Sequence, residues 1–160
     1  MVEIHETAVI YPGVTIGHNV TIGPFCIIGA PAETKKHEGQ NGFGVVIGNN
    51  VTIHGHATID AGSQRPTIID DGAYIMKTVH IGHDAIIHKD VTISPHVVVG
   101  GFVEIHEQTN IGMNATIHQR VTIPSKCMVG MSAVITKKTP LEPNTVLVGN
   151  PARITRSNNK

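Results

Sequence analysis

Tryptophan is absent from this 160-residue chain, and aromatics make up only 3% of it, three Phe and two Tyr. A core of large rings is therefore excluded, and branched aliphatic side chains must fill the interior. An excess of charge of either sign is lacking too, because Lys+Arg and Asp+Glu each number 12. That balance offers no basic field for gathering nucleic acid and no charge-driven hold on a membrane. No apolar run approaches the roughly 18 residues of a membrane span. Residues 1–9, MVEIHETAV, have neither the positive start nor the apolar stretch of a signal peptide. Cysteine is scarce: Cys26 and Cys127 form no CxxC pair and no disulfide framework. Together these absences describe a single-domain, cytoplasmic chain with two buried thiols. No P-loop, dinucleotide fingerprint or Ser-His-Asp arrangement is legible in linear order.

What the chain has instead is a metronome. Ile recurs every six residues at 4, 10, 16, 22 and 28, again at 47, 53 and 59, and then from 69 to 135 with Val at 99 and 129. Two residues before the key position stands a small or branched apolar residue such as Val20, Val51 or Ala115, with Thr21, Thr52 or Thr116 between. Inward, outward, inward is the period of a strand. Gly17, Gly23, Gly29, Gly48, Gly82, Gly100, Gly112 and Gly130 follow the key residue, where glycine is expected to relieve the strain of a bend. The apolar positions at i+3 and i+4 that a helix needs are missing. A short strand and a bend every six residues make one side of a prism, and three sides close a coil of eighteen. The hexapeptide rule predicts an all-β fold, a parallel β-helix of six to seven coils, and the Ile-keyed repeats resemble the left-handed kind. The helix spans residues 1–136, and a short basic tail covers 137–160, with 155–160 expected to fray.

Two excursions break the spacing, at 29–46 and 60–67, and counting sides puts both on one corner of the prism. A long loop in a compact repeat domain is either functional or merely tolerated, and two on one corner favour function. Of the eleven histidines, most occupy corner positions such as 54, 88, 106 and 118 and read as solvent-facing. His83 stands apart, on the corner that emits both loops, with Gly100-Gly101 one coil on and His118 about two coils on. Paired glycines at a corner open a backbone N–H to approach, as an oxyanion donor requires. A histidine beside an exposed amide is a minimal kit for acyl transfer by general base catalysis, and imidazole, with a reference pKa near 6.5, suits that task.

The run IMKTVHIGHD at 75–84, with Gly100-Gly101 and Ile117-His118-Gln119, resembles the acyl-ACP:UDP-N-acetylglucosamine O-acyltransferases, as do the opening IHETAV and the IGPFCIIG at 22–29. The resemblance covers most of residues 2–135 but not that family's C-terminal helical domain. It implies His83 as general base, Asp84 as its orienter and Gly101 as the amide that polarises the thioester carbonyl. It further implies acceptor contacts from His80, His118 and Gln119. In the first loop it makes Glu33 a contact to an acyl 3-hydroxyl and Lys35 one to phosphate or sugar. The co-substrate would be acyl-CoA or acyl-ACP with no bound cofactor or metal, the acceptor a sugar or nucleotide sugar, the partners a carrier protein and two further copies in a homotrimer. Asp60 and Phe102 stand where the family places His. VGNPAR at 148–153 resembles the ending of small hexapeptide acetyltransferases.

Two other classes remain open on the sequence. The His83-x4-His88 interval matches a gamma-class carbonic anhydrase-like zinc enzyme, with His56 as the nearest third ligand. A non-catalytic hexapeptide scaffold is the other, since fold does not fix function.

Overall fold

The computed structural model of the chain describes residues 1–35 and 42–159; residues 36–41 of the first excursion and residue 160 lie outside the described residues. Twenty-two short strands and no helix make up the described residues, so none contains a helix long and apolar enough to cross a membrane. The strands fall into three sheets of nine, seven and six, ordered by every third strand of the chain except for the last two strands, which extend the first sheet. That order is a three-sided parallel coil: six complete turns, two sides of a seventh, and a further layer on the first side.

Register explains why the spacing works. On the first side Ile22, Ile53, Ile75, Ile93, Ile111 and Val129 pair in succession and form one inward column. The second and third sides build matching columns, with Ile81 on Val99 and Ile87 on Ile105. These key side chains are fully buried, and Val51, Val91 and Ala115 close the corners around them. Burying each Ile contributes about 1.5–3 kcal/mol, so the stacked aliphatics replace the missing rings. Cys26 and Cys127 are free thiols inside the same core, and burial pushes the Cys26 thiol up from its usual range.

The bends differ from expectation. Of the eight glycines after key positions only Gly29 has a left-handed backbone, with φ 86°. The left-handed conformation falls two residues further on, at non-glycine residues such as Asp84 (φ 60°), Phe102 (φ 59°) and Asn114 (φ 60°). Glycine serves there for close approach instead: a Cβ on Gly82 would lie 2.9 Å from the Gly101 nitrogen of the next coil.

The C-terminal segment also differs, because residues expected to fray are paired. Thr145–Gly149 continues the first side, with Val146 on Met128 and Leu147 on Val129, and Ala152–Ser157 returns antiparallel along it. Leu147 takes the next place in the aliphatic column and is fully buried, as is Ala152. Without this hairpin the last rung would leave an apolar end and an unpaired edge.

Candidate active site

Strands Ile27–Ala30, Thr58–Asp60, His80–Ile81, Val98–Val99 and Thr116–Ile117 are neighbours in the second sheet. The two excursions, His83, Gly101 and His118 all follow strands of that sheet, so they share one corner, as the counting of sides requires. Register then sorts them into columns. Gly82, Gly100 and His118 align one residue past the key position, and His83, Gly101 and Gln119 one residue further.

His83 is built into this corner by the second excursion. Its Nδ1 lies 2.7 Å from Asp84 Oδ2. The Asp84 carboxylate is fully buried, and residues 61–66 wrap it with donors. Oδ2 accepts from the Ser63 N–H at 2.9 Å and the Ser63 hydroxyl at 2.8 Å. Oδ1 accepts from the Gln64 and Arg65 N–H groups at 2.7 and 2.9 Å. The Arg65 guanidinium donates to the Asp84 carbonyl, and the Asp84 N–H donates to Thr67 Oγ1 at 2.9 Å. Burial alone would push this carboxyl up. The hydrogen bonds from His83, from the Ser63 and Gln64 N–H groups and from the Ser63 hydroxyl outweigh it and hold the pKa at about 2. A carboxylate so fixed accepts the Nδ1–H of His83 and leaves Nε2 as the bare acceptor, the tautomer a general base needs.

Nε2 faces the next coil. A Cβ on Gly101 would meet His83 Nε2 at 2.8 Å and Cε1 at 2.9 Å, so only glycine leaves the ring its place. Among the described residues the Gly101 N–H makes no hydrogen bond, while its carbonyl accepts from the Arg120 N–H at 2.9 Å. Phe102 sets its ring edge-on to His83, centroids 5.2 Å apart, and the Arg120 guanidinium covers the Phe102 ring at 4.1 Å. His83, the Gly101 backbone and the Phe102 ring thus lie together at one corner.

The other candidate residues lie around this centre at differing range. His80 Nδ1 is 2.8 Å from Thr58 Oγ1, and its Nε2 points toward Asp60 Oδ2 at 3.9 Å. Asp60 is almost fully buried. Burial pushes its carboxyl up to about 6 against the pull of His80, and the charge of Glu33 adds to the rise. Glu33 and Lys35 are exposed on the first excursion. His118 is two coils from His83, about 10 Å along the axis, and its Nδ1 donates to the Gln119 carbonyl at 2.9 Å. It borders an open depression of about 420 Å³ shared with Thr136, Lys137, Lys138, Pro151 and Arg153. The C-terminal hairpin thus brings Arg153 to the same corner as His83 and His118.

Sequence reasoning missed the cradle of Ser63, Gln64 and Arg65. Its donors are mostly backbone amides, which residue identity does not encode; only the ten-residue gap from Ile59 to Ile69 hinted at it. Among the described residues no zinc set comes together around His83. His56, His83 and His88 stand at three different corners, where His56 stacks on Phe25 and His88 bonds Glu104.

Comparison with known proteins bears on the coil itself. A family model described as bacterial transferase hexapeptide (six repeats) matches residues 1–36 and 66–101. An acyl-[acyl-carrier-protein]–UDP-N-acetylglucosamine O-acyltransferase of Thermodesulfovibrio yellowstonii is 39% identical over 99 residues, 59% of this chain and 38% of the relative. One from Campylobacter concisus is 31% identical over 107 residues, 65% of this chain and 41% of the relative. This chain therefore spans about two fifths of the length of these curated relatives. Among solved structures, LpxA of Bacteroides fragilis, a UDP-N-acetylglucosamine acyltransferase, superposes with a TM-score of 0.92 at 26% identity, over 98% of this chain and 61% of that one. LpxA of Acinetobacter baumannii gives 0.78 at 26% identity, over 98% of this chain and 72% of that one. The coil described above is therefore a left-handed parallel β-helix, and its stretches 1–36 and 66–101 match the transferase hexapeptide repeat. Within that class, the chain resembles the acyl-ACP:UDP-N-acetylglucosamine O-acyltransferases.

Proposed function

We propose that this chain is a hexapeptide-repeat acyltransferase, moving an acyl group from a carrier-protein or CoA thioester to a hydroxyl or amine of a sugar or nucleotide sugar. The observation that carries the reading is the clamp on His83: Nδ1 held by the buried Asp84 carboxylate, Nε2 set against the bare Gly101 backbone. In the reaction His83 Nε2 takes the acceptor's proton as its oxygen or nitrogen attacks the thioester carbonyl. The Gly101 N–H receives the developing oxyanion. Collapse breaks the C–S bond, and the imidazolium returns its proton to the departing thiolate. Asp84 keeps its negative charge throughout, stabilising the imidazolium without accepting the proton, in keeping with a pKa of about 2.

His80 and Asp60 flank the base and would meet the acceptor, with His118 and Gln119 further along the corner. Lys137, Lys138 and Arg153 would attract the phosphate of a phosphopantetheine arm or a nucleotide. Glu33 and Lys35 on the first excursion would contact the acyl chain and the sugar phosphate, and a homotrimer would close the groove. The names of the relatives supply the first pair to try, an acyl-carrier-protein thioester and UDP-N-acetylglucosamine. The test is thiol release from 3-hydroxyacyl and short acyl thioesters, on carrier protein and on CoA, with nucleotide sugars as acceptors and mass spectrometry of the product. Acceptor-dependent thiol release with an acylated sugar is the expected result. Absence of turnover across the panel would favour a non-catalytic scaffold.

A further inference from the structure

A second cluster of titratable groups lies at another corner of the prism and plays no part in the proposed chemistry. Strand Ile86–Ile87 pairs with Glu104–Ile105, Ile86 opposite Glu104 and Ile87 opposite Ile105. The next residues, His88 and His106, are thereby stacked on adjacent coils, ring centroids 4.7 Å apart and planes within 21°. Pairing on the other side of the strand puts Ile69 opposite Ile87, and so Asp70 below His88.

Glu104 reaches across both rings. Its Oε1 lies 2.8 Å from His88 Nε2 and 3.6 Å from His106 Nε2. The remaining ring nitrogens also face carboxylates: His88 Nδ1 is 3.2 Å from Asp70 Oδ2, and His106 Nδ1 is 3.7 Å from Glu107 Oε2. The His88 hydrogen bond is the largest influence holding the Glu104 carboxyl below its ordinary value. His106, His88 and Arg65 add to this electrostatically. We propose that His88 Nε2, His106 Nε2 and a Glu104 oxygen form a binding site for a divalent transition-metal ion of the zinc class, with Asp70 and Glu107 holding the two rings from behind.

The geometry fits the chemistry. Donor atoms about 2.1 Å from a tetrahedral zinc lie roughly 3.4 Å from one another. The three donor atoms here are all within 4.8 Å of one another, and the two measured nitrogen–oxygen separations bracket the tetrahedral edge. An imidazole that gives one nitrogen to a metal and its other N–H to a carboxylate is the usual arrangement around zinc. Asp70 stands at 3.2 Å from His88 Nδ1 for that role, and Glu107, at 3.7 Å from His106 Nδ1, would need to close by a few tenths of an ångström. The side chains are half-buried, so water fills the remaining coordination positions and the ion would fasten two adjacent coils together. This site is separate from His83, which stands at the other end of the strand, up to about 16 Å away along five residues of extended chain.

Calorimetric titration of the full, chelator-treated chain with zinc chloride at about pH 7.5 tests this, with the visible absorption of bound cobalt(II) as a second readout. One ion per chain is expected. His88→Gln, His106→Gln or Glu104→Gln should each weaken binding by about tenfold or more. His96→Gln, another exposed corner histidine, should leave it within about twofold, as should His83→Gln. No saturable binding below about 100 µM metal overturns the proposal. So does binding undiminished in the three ligand variants, or binding lost in His83→Gln.

Discussion

Two histidines stand at the two ends of one short strand, Ile86–Ile87, and their surroundings make them different tools. His83 has one nitrogen clamped by a fully buried carboxylate and the other turned toward a glycine backbone. His88 faces a carboxylate at each nitrogen, and both carboxylates, Asp70 and Glu104, are partly exposed. Residue type and repeat position are nearly the same; the difference is the second excursion, which delivers four donors to Asp84. An imidazole becomes a base when its neighbour is fixed and its free nitrogen has room, and a cation site when acids crowd it from all sides.

The comparison can be broken from either end. The largest effect is expected at Gly101→Ala, where the new Cβ would sit 2.8 Å from His83 Nε2. Displacing the base and crowding the oxyanion amide together should cost about 10²–10³-fold in kcat, with circular dichroism unchanged. Asp84→Asn keeps the shape of the carboxylate but loses its charge and allows the wrong imidazole tautomer. A fall of about 10²-fold in kcat is expected, larger than the fall in kcat/KM from any substitution of exposed Lys35.

The same carboxylate governs acid stability. Its folded pKa of about 2 lies below the ordinary value of 3.8, so its contribution is complete above pH 4 and is lost as pH falls toward 2. The loss is about 2 kcal/mol, and denaturation of wild type against Asp84→Asn across that window measures it. Asp60 runs in the opposite sense. With its pKa raised to about 6, ionising it costs folding stability, a cost absent below pH 4 and complete above pH 6. Asp60→Asn should therefore be more stable than wild type at pH 8 by on the order of 1–2 kcal/mol and no more stable at pH 4. A melting series over that range would expose a reversed or flat difference.

How far the sequence reaches depends on whether side chains or backbone carry the information. The columns were legible because each key Ile packs on another Ile, and a spacing of six fixes the register of every rung. The corner shared by both excursions, His83 and Gly101 followed from counting alone. Coils of eighteen from His83 lead to Gly101 and then Gln119, and His118 shares their corner one residue before that column. The cradle around Asp84 and the left-handed corner residues are properties of the main chain, and residue identity is nearly silent about them. The C-terminal hairpin was hidden because Leu replaces Ile or Val at the key positions: Leu141 and Leu147 keep the six-residue beat after Ile135, and Leu147 pairs with Val129 eighteen residues before it. His88 and His106 are eighteen residues apart, one full coil, yet only the diagonal reach of Glu104 turns two corner histidines into a cluster.

The central claim is that one end of this strand carries the acyl-transfer base and the other does not. Turnover of His83→Ala and His88→Ala in a single thiol-release assay tests it most directly, with the fold of each checked by circular dichroism. The first should lose at least about 10²-fold in kcat, and the second should stay within about twofold of wild type. Full activity in His83→Ala, or equal losses in both variants, would contradict it.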